Sequence, residues 1–190
     1  MNKKEIIESL KSIIEALSVD EQEEIITYDF GDGPVPAHRH KNPDGSIGGW
    51  VANTATVADT AYIGEDAKVS DNAHVYGNAS VGGNAHVYGN AKVYGNTWVF
   101  GNARVAGNAR VFDDALVYDN ARVFGGALVF GNAQVFDNAW VSGNAQVFDY
   151  AQVAGDAQVT GNAVVFGDAR VSDYAVVYGN TKLSSGTHKE

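Results

Sequence analysis

The sequence predicts an all-β solenoid, a rod of short wound and stacked strands, preceded by a short α-helical cap. Two observations predict it. From Trp50 a six-residue unit repeats without one insertion, WVANTA, TVADTA, YIGEDA, KVSDNA and onward to VVYGNT at 176–181, which is 132 residues or 22 hexads. Within the hexad the second position is Val everywhere except Ile63, and the sixth is Ala everywhere except Thr97 and Thr181. A unit of six residues has nowhere to bury its valine alone, so successive units must wind and stack.

The elements follow in chain order. Ile6, Leu10, Ile13 and Leu17 recur at spacings of four, three and four, with Ile7 and Ile14 beside them, which predicts a helix over 3–17 with one apolar stripe. Ser18 and Glu21 form a capping box for a second short helix over 19–26. The segment 1–27 is therefore a helical cap or an oligomerisation segment, its stripe packing either on its own chain or between chains. Residues 28–49 hold all three prolines and read as a Pro/Gly-rich connector, with a turn at NPDGS where Gly45 supplies positive φ. The repeat domain spans 50–183. Ala, variable residue, Val is in, out, in along a strand, and Gly or Asp followed by Asn supplies a corner, since glycine and asparagine tolerate the left-handed region. Residues 184–190 form a polar tail too short to cover the end of a rod, which leaves that end frayed or docked on another protein.

These hexads, an aliphatic residue preceded two positions earlier by Ala or another small residue, resemble the hexapeptide-repeat superfamily in its uninterrupted GNA-x-V-x form, seen in bacterial and phage proteins. The resemblance implies a left-handed parallel β-helix with three hexads per coil, about seven coils here, and a homotrimer. It also implies acyl transfer as an activity to be tested, because many members are acyltransferases.

With 18 residues per coil, outward positions align in columns. The position after valine carries Tyr76, Tyr94, Phe112, Phe130, Phe148 and Phe166 on one face. Such a ladder stabilises the stack through offset rings or is buried against another subunit. The position before valine carries Lys68, His86, Arg104 and Arg122 on one face and His74, Lys92 and Arg110 on another. Corner carboxylates that pair with these cations are one reading; an anion site for a phosphate, an acyl-CoA tail or an acidic polymer is the other.

Catalysis has few candidates. Acyl transfer in the family this chain resembles uses a histidine base and a donor for the oxyanion, and His86 is the candidate base, with Arg104 and Arg122 near the acyl-CoA donor. No loop is extruded from the repeats to wall an active site, and His74 and His86 stand on different faces. The connector histidines His38 and His40 in HRH are a candidate transition-metal pair if three chains bring them to one axis. No cofactor is expected apart from acyl-CoA in the enzyme reading.

Composition narrows the classes. A net charge of −10 argues against direct nucleic-acid binding, which needs a dense basic surface. The acidic corners leave open a rod that imitates nucleic acid and occupies a DNA-binding partner. Without cysteine there is no disulfide, thiolate nucleophile or sulfur metal site. Glu5, Glu8 and Glu15 interrupt each apolar run at the amino terminus, so neither a signal peptide nor a membrane span is expected, and the compartment is cytoplasmic or virion-associated. The expected role is structural or interactive, a rigid trimeric rod in a larger assembly, with acyl transfer to a sugar or amine as the alternative.

Overall fold

The computed structural model describes residues 2–19 and 25–189. Helix α1 (Lys3–Val19) is followed by β1 (Thr27–Asp29), β2 (Pro34–Lys41) and β3 (Ile47–Ala52), then by twenty-three two-residue strands from β4 (Thr56–Val57) to β26 (Thr187–His188). The strands wind into an all-β parallel solenoid of eight turns with three strands per turn, forming three sheets. Partners lie 18 residues apart, as in Lys68↔His86, Lys92↔Arg110 and Trp98↔Leu116.

The hexad explains the turn. Each consensus Val and Ala from Ala61 to Val171 is closed to solvent, so the rod axis is a column of small and medium apolar side chains. Thr97 replaces one alanine and stays fully buried because its hydroxyl donates to the Tyr94 carbonyl at 2.7 Å. The outward residue before each valine donates its N–H to a carbonyl of the next turn, as Lys68 does to Ala85 at 2.9 Å.

The corners differ from the sequence reading in one respect. The left-handed residue is the Gly or Asp in fourth position, at φ 56° for Asp71 and 70° for Gly77, and not the Asn after it. The asparagines serve a different purpose: they stack into side-chain ladders. Asn84, Asn102, Asn120 and Asn138 each donate Nδ2–H to the oxygen one turn above at 3.0–3.2 Å, and the run ends at Asp156, which can only accept.

Residues 28–49 are not an irregular connector. They form, with Thr27 and Trp50–Ala52, an antiparallel meander in which β2 pairs with β1 on one side and with β3 on the other. Its prolines stay out of the way because Pro34 and Pro36 lie in the half of β2 that pairs with β1 alone, before the β3 ladder begins at Ala37. The NPDGS turn forms as expected, with Gly45 at φ 86° and its N–H donating to the Asn42 carbonyl.

The meander closes the first turn. Strand β3 is itself the first strand of one face, and β2 covers its open edge. On another face the Asn42 side chain acts as a substitute strand: its Oδ1 accepts from the Ile63 N–H at 2.8 Å and its Nδ2 donates to the Ile63 carbonyl at 3.1 Å. His40 Nε2 lies 3.0 Å from the Ala61 carbonyl beside it. Buried backbone groups that would otherwise lack partners are thereby satisfied.

At the other end the chain continues further than the expected seven coils. Lys182–Leu183 pairs with Val164–Val165, and Thr187–His188 pairs with Arg170–Val171 at a spacing of 17 because the last corner is one residue shorter. At the amino terminus, Asn2 caps α1: its Oδ1 accepts from the N–H groups of Lys4 and Glu5, and Glu5 reaches back to the Asn2 N–H. The second helix expected over 19–26 falls largely on residues 20–24, outside the described residues.

Candidate functional site

The hairpin β1–β2 reaches over the outer surface of the face that carries Trp50, Lys68, His86, Arg104, Arg122 and Trp140. Tyr28 stacks on Trp50 with ring centroids 4.7 Å apart, and the Lys68 ammonium lies 5.4 Å from the Tyr28 ring. In the loop that follows, Asp29 Oδ1 accepts from the N–H groups of Gly31 and Gly33 at 2.8 and 3.0 Å, which fixes FGDG as a compact turn. Gly31 and Gly33 hold φ of 131° and 103°, open to glycine. Phe30 is thereby placed 6.3 Å from the His86 ring.

Beneath this loop is a cleft of about 530 Å³. It exists because the column after valine on this face begins with small residues. Ala52 and Ser70 leave a hollow over the first two turns, and Tyr88 closes its far side. His86 Nε2 lies 2.8 Å from the Ser70 hydroxyl, and its ring is 4.6 Å from that of Tyr88. Burial holds the His86 imidazole neutral, down to about 4, helped by the positive charges of Lys68 and Arg104 and opposed by Asp71. The sequence reading names His86 and Arg104 but misses Phe30, Ser70 and Tyr88. It also finds no wall, because it looks for an extruded loop inside the repeats, whereas the wall comes from the hairpin before them.

The other expected residues lie as follows. His74, Lys92 and Arg110 form a column on a second face, away from His86. Arg122 stands one turn beyond Arg104, its guanidinium 5.8 Å from the Trp140 ring. Among the described residues no carboxylate forms an ion pair with any of these cations. Four corner aspartates have a different partner: Asp71, Asp113, Asp137 and Asp149 each accept the N–H of the glycine one turn above at 2.9–3.3 Å. In β2, His38 Nδ1 lies 2.9 Å from Asn53 Oδ1 while His40 is buried against Ala61. Among the described residues no three His, Asp or Glu side chains of the chain gather as a metal-ligand set.

The aromatic column is a continuous stack. From Tyr76 through Tyr94, Phe112, Phe130, Phe148 to Phe166, consecutive centroids are 4.7–5.3 Å apart and the rings are within 15° of parallel. At the carboxy-terminal end Tyr174, Val176 and Tyr178 are exposed and Leu183 is half-buried. The side chains of α1 from Lys3 to Ile14 are all exposed, including Ile6, Ile7, Leu10, Ile13 and Ile14. No described helix is long and apolar enough to cross a membrane.

With this geometry in hand, the comparisons add one match. The model of the YdcK beta solenoid repeat matches residues 133–149, slightly less than one turn of the rod. The chain is a β-helix repeat protein. No curated protein matches it.

Proposed function

We propose that the protein is a rigid interaction rod that self-associates, and that a homotrimer within a larger assembly, cytoplasmic or virion-associated, is its working form. The observation that carries this reading is the exposed stripe of α1. Five large apolar side chains on one helix face are 42–63 % exposed, and among the described residues nothing covers them. A helix of this kind is stable chiefly through packing of its apolar face, so association with copies of itself supplies what the solenoid does not. The outer edges of the aromatic ladder extend the same logic along the rod. The open carboxy-terminal end, with Tyr174, Val176 and Tyr178, is the place for a second protein to dock. Light scattering of the intact chain tests the reading: three times 20.1 kDa is expected, falling to a single chain in the Leu10→Asp, Ile13→Asp variant. A monomeric wild type at micromolar concentration contradicts it.

A second reading is favoured by one observation, the placement of His86 in a cleft beside Ser70 and Arg104. It is acyl transfer from acyl-CoA to a sugar or amine with His86 as base. A base held neutral down to about 4 accepts a proton weakly, which ranks this reading second. Acyl-CoA turnover abolished by His86→Ala would reverse the order.

A further inference from the structure

We propose that the cleft beneath the β1–β2 loop is a binding site for a small ring-bearing carboxylate, with the carboxylate against the Arg104 guanidinium and the ring against Phe30 and Tyr88. The site is separate from the surfaces invoked for self-association, so variants of α1 or of the aromatic ladder leave it intact.

Charge selects the anion. Arg104 lines the cleft, is exposed, and has no carboxylate within ion-pair distance among the described residues. Lys68 is its neighbour two turns below, and among the described residues its ammonium faces the Tyr28 ring. Two carboxylates also line the cleft, Asp71, one oxygen of which accepts from the Gly89 N–H at 2.9 Å, and the exposed Asp32 of the loop, but among the described residues neither forms an ion pair with Arg104. His86 is neutral chiefly because it is buried; Lys68 and Arg104 also act against its protonation, while Asp71 acts for it. A guanidinium offers paired donors in the geometry of a carboxylate, and charge-assisted bonds of this kind are about twice as strong as neutral ones.

Shape selects the ring. The hollow over Ala52 and Ser70 is bounded by two half-buried aromatic rings and roofed by Val35 and Pro36. A volume of about 530 Å³ is in the range of small-molecule pockets, and apolar walls with a few placed polar groups are their usual make-up. The Ser70 hydroxyl and the His86 imidazole, 2.8 Å apart, form an uncharged polar pair on the floor that can take a second oxygen of the ligand.

The probes are benzoate, its uncharged relative benzamide and the ringless acetate, titrated into the full-length protein while the His86 ring protons are followed by NMR. Benzoate is expected to shift the His86 signals and to bind at least about tenfold more tightly than benzamide or acetate. Arg104→Gln is expected to weaken benzoate about tenfold or more, whereas Arg122→Gln, one turn outside the cleft, changes affinity less than about twofold. Both positions are exposed, so neither change threatens the fold. Equal binding of benzamide and benzoate, indifference to Arg104→Gln, or no movement of the His86 signals at millimolar benzoate would each overturn the proposal.

Discussion

Phe130 sits in the middle of the six-ring stack, with Phe112 and Phe148 both at 4.8 Å and nearly parallel to it. Replacing it with alanine removes two stacked pairs at ~0.5–1.5 kcal/mol each. It also removes the transfer free energy of a half-buried ring, about half of the ~1.5–3 kcal/mol for a fully buried one. The total is roughly 2–4 kcal/mol. Tyr76 ends the stack, with a single partner at 4.7 Å and 40 % exposure, so Tyr76→Ala should cost about half as much. Urea unfolding followed by far-ultraviolet circular dichroism measures both variants, at one protein concentration because self-association contributes to stability. Amide exchange should accelerate first at Phe112 and Phe148, the turns that lose a neighbour. If Phe130→Ala costs no more than Tyr76→Ala, the rings do not act as a cooperative column and the reasoning fails.

The cap offers a second test. Asn42→Ala strips partners from both the N–H and the carbonyl of Ile63, a loss of about 2–4 kcal/mol, and hydrogen exchange should rise at Ile63 while Val123 in mid-rod stays protected. Gly49→Ala would bring a Cβ to 2.0 Å from the Ala67 carbonyl oxygen, so the meander must shift and the melting temperature should fall by several degrees. For pH, the His86 value is depressed from 6.5 to about 4 on folding, so the unfolded chain binds more protons between those limits. Stability linked to His86 is therefore complete above 6.5, declines as pH falls toward about 4 and is constant below. The difference between wild type and His86→Gln in urea midpoint across this range isolates that slope, because the corner carboxylates are common to both.

The rod was legible in the sequence because each of its levels repeats at one period. The hexad marks which side chains turn inward, and the 18-residue coil aligns Tyr76 with Tyr94 and Arg104 with Arg122. What escaped the sequence is aperiodic. The meander has no repeat to betray it, and three prolines with five glycines in residues 28–49 resemble a loop until Pro34 and Pro36 are seen to precede the β3 ladder, which begins at Ala37. The Asn42 cap depends on a contact 21 residues away that no local pattern encodes. The cleft was half legible: reading the column after valine on its face as Ala52, Ser70, Tyr88, Ala106 would have marked the hollow, but Phe30, Val35 and Pro36, which enclose it, come from the meander. The second task of Asp71, to accept the Gly89 N–H one turn above, appears only once the turns are stacked.

A chain without cysteine allows the stacking itself to be tested directly. Lys92 and Arg110 face each other in adjacent turns, whereas Arg104, twelve residues from Lys92, stands on a different face. The Lys92→Cys, Arg110→Cys variant should close an intrachain disulfide under mild oxidation, seen by mass spectrometry as the loss of two hydrogens in the single chain. The Lys92→Cys, Arg104→Cys variant should remain reduced. Closure of the second pair in place of the first would contradict the eighteen-residue turn on which the ladder, the cation columns and the cleft all rest.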